Sequence, residues 1–124
     1  MIICWDMSVL KKALESGLDV CLSTQASVSN SASARYYKDL GVKRIVPARE
    51  CSLEQIKSIT KTGIEVEVFV HGAMCVSVSG RCFMSHHLHE KSANRGECMQ
   101  PCRYQYTVIN KETGAEMEIE NNDN

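Results

Sequence analysis

The residues from His71 to Arg103, HGAMCVSVSGRCFMSHHLHEKSANRGECMQPCR, hold most of the side chains in this chain that could do chemistry. Four of the seven cysteines, all four histidines and three arginines fall in this stretch. The cysteines are Cys75, Cys82, Cys98 and Cys102, with six, fifteen and three residues between them. Thiols gathered on one loop-rich stretch point to a metal, an iron–sulfur cluster or a disulfide framework. The odd count of seven weighs against disulfides, as does the reducing cytoplasm expected for a chain whose N-terminus, MIICWDMSVLKK, lacks the pattern of a signal peptide.

The spacing leaves the metal open. Zinc favours paired C-x2–4-C units. Cys98-Met-Gln-Pro-Cys102 is one such pair, whereas Cys75 and Cys82 are too far apart to be another; His86, His87 or His89 could substitute. Irregular gaps suit an iron–sulfur cluster, whose ligation tolerates wide separations. A zinc protease is poorly supported, because His89-Glu90 is followed by Lys91-Ser92-Ala93 and never completes H-E-x-x-H. No G-x-S-x-G elbow is present. A cysteine nucleophile with a histidine base is chemically possible, but the spacing singles out no one cysteine. Cys4, Cys21 and Cys51 lie near strand or helix starts and are expected to act as small buried hydrophobes.

The elements that must position this block alternate. Ile2–Cys4 reads as a strand, and Asp6 caps a helix over Met7–Glu15 that Gly17 ends. Leu18–Leu22 is a second strand. Ser29 or Asn30 caps a helix to Leu40, with Gly41 in the left-handed C-terminal position. Lys43–Val46 is a third strand, stopped by Pro47. Ser52 and Gln55 form a capping box before a helix carrying Ile56 and Ile59, and Ile64–Val70 is a fourth strand. Four strands at a period of about 22 residues mean parallel βα units. They form either a small open sheet or about half of an eight-stranded TIM-type (β/α)8 barrel. Tyr104–Asn110 and Ala115–Glu120 flank Lys-Glu-Thr-Gly as a β-hairpin, and residues 121–124 are a polar frayed end. One domain overall is expected, with residues 1–70 as the βα part, 71–103 as the cysteine-rich loop and helical block, and 104–124 as the hairpin and tail.

In parallel α/β folds, functional groups collect on loops at the carboxyl ends of the strands. Gln25, Arg49, Glu50 and His71 should therefore share a rim with the cysteines. The formal net charge of −1 does not by itself indicate nucleic acid. The local balance is different. Arg81, Lys91, Arg95 and Arg103 face only Glu90 and Glu97 within 81–103, a modest basic bias suited to an anionic partner. No run approaches the roughly 18 apolar residues of a membrane helix.

Two segments carry a resemblance. Glu67-Val-Phe-Val-His-Gly-Ala-Met-Cys75 with Ser79-Gly-Arg-Cys82-Phe-Met-Ser85, and Ala93-Asn-Arg-Gly-Glu-Cys98-Met-Gln-Pro-Cys102-Arg-Tyr, closely resemble the signature of the collagenase-like peptidase family of unassigned catalytic type. Ser23-Thr-Gln25, Gly41-Val-Lys-Arg and Ala48-Arg-Glu50 extend the match upstream, so it spans about Ile2 to Tyr106. The resemblance implies a β/α-barrel protein. It also implies either the collagenase activity behind the family's older name or hydroxylation of a tRNA wobble uridine with prephenate, of an rRNA cytidine or of the ubiquinone ring.

It further implies a [4Fe–4S] cluster on Cys75, Cys82 and Cys98, with the family's fourth ligand in a downstream segment like S-K-D-L-C. The chain ends before such a segment and starts mid-barrel, so it is expected to be a fragment, with Cys102 the nearest substitute ligand. Zinc is the alternative metal. His71, Glu67 and Arg49 are the catalytic candidates, with Glu67 facing a barrel interior where it needs a partner. Gln25, Arg81, Arg95 and Arg103 are the substrate contacts, since guanidinium forks match the carboxylates of prephenate or the phosphates of tRNA; the alternative for Arg81 and Arg95 is to tie the loop through backbone carbonyls. A second copy or a complementing chain would cover the exposed sheet edges. The expected function is cytoplasmic tRNA hydroxylation. The alternatives are a metal- or cysteine-dependent peptidase and a non-catalytic fragment.

Overall fold

The computed structural model of the chain describes residues 1–118. The expected polar end at residues 121–124, and the last two residues of the second hairpin strand, lie outside them. The described chain forms two compact units, Met1–Arg81 and a second beginning at Cys82. The boundary falls inside the cysteine-rich block, between two consecutive residues of its signature, where the expected division had put one continuous segment.

The first unit alternates strand and helix: β1 (Ile2–Cys4), α1 (Met7–Glu15), β2 (Val20–Leu22), α2 (Ser31–Asp39), β3 (Arg44–Ile45), α3 (Leu53–Thr60) and β4 (Glu65–Val66). Each helix starts where a side chain can replace the missing backbone acceptor. The Asp6 carboxylate takes the N–H groups of Ser8 and Val9, Asn30 takes that of Ser33, and Ser52 and Gln55 form the reciprocal capping box. Gly41 and Gly63 follow α2 and α3 with φ of 101° and 76°, values that cost an L-residue but not glycine.

The four strands are parallel and ordered β1-β2-β3-β4, each paired with the next along the chain. Register splits their side chains into two rows. Cys4, Leu22, Ile45 and Val66 stand side by side, and Ile3, Cys21, Arg44 and Glu65 stand side by side on the other face. The first row packs with Leu10 and Ala13 of α1, Ala34 of α2 and Ile59 of α3 in one core. All three helices therefore cover the same face. This is what right-handed crossovers produce when the strand order advances without reversal.

β4 is shorter than the alternating stretch Ile64–Val70 suggests. A strand needs a partner, and β3 offers little of one before Pro47. The carbonyls of Lys43 and Ile45 accept the N–H groups of Glu65 and Glu67, and the pairing stops there. Val68, Phe69 and Val70 continue as exposed irregular chain.

The second unit is mostly turns. It holds α4 (Met84–His89), two 3-10 turns at Ala93–Arg95 and Pro101–Arg103, and an antiparallel hairpin of β5 (Thr107–Ile109) and β6 (Glu116–Glu118). No helix among the described residues is long and apolar enough to cross a membrane.

Candidate functional site

The loops after β2, β3 and β4 meet in the first unit around a cavity of about 540 Å³. Thr24, Pro47, Ala48, Arg49, Cys51 and Ile56 line one part of it, and the irregular segment from Val68 to Cys75 lines the rest. Arg49, His71 and Cys75 are thus brought to one cavity, as their places at the strand ends require.

The polar residues of this rim act mainly on backbone. Arg49 donates from Nη1 to the carbonyl of Cys75 (2.8 Å) and from Nη2 to that of Ser77 (2.5 Å). Glu50 accepts the N–H of Ser79 at Oε1 (2.6 Å) and its hydroxyl at Oε2 (2.7 Å). These bonds, the Ser79 hydroxyl first, hold the Glu50 carboxyl below its ordinary pKa of 4.5, because they favour the charged form. Gln25 donates from Nε2 to the carbonyl of Gly80 (3.4 Å), and its own carbonyl accepts both Nε and Nη2 of Arg81 (3.2 and 2.8 Å). The Arg81 guanidinium also lies 5.9 Å from the ring centre of Trp5, within cation–π range. So Arg49 and Gln25 turn toward the 75–81 loop, and Arg81 turns back onto Gln25. The forked donors that suit carboxylates and phosphates here cap peptide carbonyls.

Glu67 has the partner it was expected to need. It takes Nη1 of Arg44 at 3.0 Å, while Glu65 takes Nε and Nη2 at 3.1 and 3.0 Å. The Glu67 side chain is nonetheless about half exposed. His71 is exposed on the irregular segment after β4.

All seven cysteines are free thiols. Cys4 and Cys21 are buried and Cys51 is half-buried. Burial pushes all three thiols up in pKa, so they remain protonated. Cys75, exposed, belongs to the first unit; Cys82, Cys98 and Cys102 belong to the second. Within the second unit the cysteines sit in built surroundings. The Sγ of Cys82 accepts the N–H of Met84 (3.4 Å), and that of Cys98 accepts the N–H of Gln100 (3.3 Å). Asn94 brackets the Cys82 backbone, and the fully buried Ser85 hydroxyl accepts the Met99 N–H at 3.0 Å. The Tyr106 hydroxyl donates to the carbonyl of Pro101 at 2.7 Å. Arg95 and Arg103 are exposed, one in each 3-10 turn of this unit.

Amides aimed at sulfur suit a thiolate ligand, since hydrogen bonds to the sulfurs tune an iron–sulfur centre. The donor set therefore fits a thiolate-held centre in chemical type. Among the described residues, no three His, Cys, Asp or Glu side chains are gathered to hold a metal ion.

The model of peptidase family U32 matches residues 1–124. The chain belongs to this family. Within U32 its relatives carry two kinds of name. A collagenase of Porphyromonas gingivalis is 40% identical over 97% of this chain and 32% of its own length. A tRNA hydroxylation protein of Helicobacter pylori is 44% identical over 90% of the chain and 28% of its own length. A 23S rRNA 5-hydroxycytidine synthase of Escherichia coli is 40% identical over 83% of the chain and 16% of its own length. The U32 chain thus spans a third or less of these relatives. No solved structure matches it.

Sequence reasoning missed Ser79, Ser85 and Asn94, although all three lie inside the U32 signature. Ser79 and Glu50 are 29 positions apart, and Asn94 and Cys82 are 12 apart. No local pattern announces such a pair. The one signal available was the placing of small polar residues next to glycine or cysteine in a block rich in ligands.

Proposed function

We propose that this U32 chain is part of an RNA-hydroxylating protein, acting on a tRNA wobble uridine, with a [4Fe–4S] cluster ligated through thiols of the signature block, Cys75 of the first unit being one of the candidates. The observation that carries the reading is the state of the thiols at the signature. They are free and unburied by comparison with Cys4 and Cys21, and two of them already receive backbone N–H groups. Several relatives named as tRNA hydroxylation proteins match this chain at 38–46% identity, which supports the same reading.

The cluster, when bound, supplies a redox-active centre. The chain's own residues supply position. Asn94 and Ser85 hold the turns that bear Cys82 and Cys98, and Arg49 holds the loop that bears Cys75. The cavity beside Arg49, His71 and Cys75 is large enough for a small dicarboxylate such as prephenate. Arg95 and Arg103 are exposed cations suited to RNA phosphates. The unreversed strand order, with helices on one face, supports reading the first unit as an arc of a (β/α)8 barrel. A second copy or another stretch of barrel would then cover the edges of β1 and β4.

The test is iron and sulfide content after anaerobic purification of the full chain, together with the nucleosides of tRNA from cells lacking the gene. Iron lost in Cys82→Ser, and loss of a hydroxylated uridine, are the expected results. A chain without iron and an unchanged nucleoside profile would overturn the reading.

A second reading is a collagenase-like peptidase, favoured by the collagenase relative that covers nearly the whole chain. It needs a nucleophile and a base in contact. The hydrogen bonds found at cysteine sulfurs involve backbone groups, those of Val28, Met84 and Gln100. Hydrolysis of denatured collagen, abolished by one Cys→Ser substitution and insensitive to iron removal, would decide for this reading.

A further inference from the structure

Ser79 adopts φ 44° and ψ 31°, the left-handed region that a non-glycine residue enters only under constraint. It is also fully buried. Its neighbour Gly80 has φ 77°. Two consecutive left-handed residues turn the chain sharply just before Arg81, and both are tied to the rim. The Glu50 carboxylate holds the N–H and the hydroxyl of Ser79, and Gln25 holds the Gly80 carbonyl.

The residue before Glu50 grips the other end of the same loop. Arg49 places its two terminal nitrogens on the carbonyls of Cys75 and Ser77. The Ser77 hydroxyl in turn donates to the carbonyl of Arg81, closing the loop on itself (2.5 Å). The dipeptide therefore matches the polarity of the loop backbone: a cation on carbonyls at residues 75 and 77, an anion on an amide and a hydroxyl at residue 79. Cys75 itself lies in no regular element and is exposed. Among the described residues its backbone tie to the rim is the bond from Arg49.

We propose that Arg49 and Glu50 are positioning residues that fix the 75–80 loop, and through it the direction of the Cys75 thiol, rather than contacts to the substrate. The consequence for a bound cluster rests on the reading of Cys75 as a ligand. The clasp itself does not. A carboxylate is needed at residue 50 because it can accept two hydrogen bonds from Ser79 at once. A fork is needed at residue 49 because two carbonyls are reached from one guanidinium.

The experiment compares the full wild-type chain with Glu50→Gln, Arg49→Lys and Ser79→Ala. Amide hydrogen exchange, read peptide by peptide, should be about tenfold faster over residues 75–80 in Glu50→Gln and Arg49→Lys. It should be intermediate in Ser79→Ala, which keeps the amide bond and loses the hydroxyl. Exchange at Val20–Leu22 and Arg44–Ile45 should not change. Alkylation of Cys75 by iodoacetamide should change rate in step with the loop, while that of Cys98 does not. In protein loaded with iron, Glu50→Gln should release iron to a chelator several-fold faster and alter the electron paramagnetic resonance signature of the reduced centre.

Unchanged exchange over 75–80 in both Glu50→Gln and Arg49→Lys would overturn the clasp. So would acceleration spread equally over the strands, which reports ordinary destabilisation. A loosened loop with unchanged iron release and unchanged resonance would overturn its effect on the ligand. Wild-type chain that takes up no iron would overturn the cluster reading instead, and the clasp would then be decided by exchange and alkylation.

Discussion

Asn94 grips the backbone of Cys82 on both sides: its Oδ1 accepts the Cys82 N–H and its Nδ2 donates to the Cys82 carbonyl, each at 3.3 Å. A side-chain amide in this position does what a neighbouring strand would do for an extended residue. It satisfies a backbone donor and acceptor in a unit with little regular structure. Asn94→Ala leaves both groups without that partner and should cost about 1–2 kcal/mol of local stability. Amide exchange over 82–85 is the measurement. Asn94→Asp keeps the acceptor for the Cys82 N–H but sets an anionic oxygen against the Cys82 carbonyl, so it should not restore wild-type protection. Equal protection in Asn94→Ala and wild type would show that the bracket contributes nothing.

Acid should loosen the 75–80 loop before it unfolds the chain. The folded-state pKa of Glu50 lies below its ordinary 4.5, chiefly through the Ser79 hydroxyl and then the Ser79 amide. A depressed carboxyl contributes stability that is fully present above its unfolded pKa and is lost as pH falls through the folded value. Loop protection should therefore be flat from neutral pH down to the ordinary carboxylate range and fall below it. In Glu50→Gln the step should be absent. A step of the same size in that variant would assign it to other carboxyls, such as those of Asp6 and Asp19, which are also depressed.

Ile59 is fully buried in α3 against the strand row, whereas Leu53 in the first turn of the same helix is 70% exposed. Ile59→Ala should destabilise the first unit by about 2–5 kcal/mol, through lost burial and the cavity left behind. Leu53→Ala should change it by less than about 0.5 kcal/mol, as is usual for surface positions. Urea melts of the two variants check the contrast, and comparable midpoints would refute the assigned core.

The start of α3 offers a finer test. Ser52→Ala removes the acceptor for the Gln55 N–H and should cost about 1 kcal/mol. The reciprocal bond, from the Ser52 N–H to Gln55 Oε1 at 2.7 Å, remains. Gln55→Ala breaks that one instead. If the box acts as a unit, the double variant should lose less than the sum of the single losses, read from the same melts.

What could be read from sequence was what short range determines. Asp6, Asn30 and Ser52 announce three helices because a cap and its target lie within three residues. The bounds of β1 and α1 follow directly. β4 was overextended because strand length depends on the partner. The alternation of Ile64–Val70 says nothing about how little of β3 remains before Pro47. The roles of Arg49 and Arg81 were open for a similar reason. A guanidinium fits a phosphate, a carboxylate or two carbonyls equally well, and only the return of the chain at Cys75–Arg81 chooses among them. Family membership in U32 was legible from the cysteine block, because its spacing is irregular and specific.

The order of the strands bears on how the first unit comes into being. Each strand pairs with the next one along the chain, Ile2 with Val20, Cys21 with Arg44 and Arg44 with Glu65, at separations of about twenty residues. Among the described residues these four strands pair only with their sequence neighbours, so the loops closed in pairing them are short. The sheet can grow as the chain leaves the ribosome, each βα unit docking on the edge left by the one before. Residues 75–79 follow all four strands in the chain, so the clasp of Arg49 and Glu50 on them can close only once the last strand has been made.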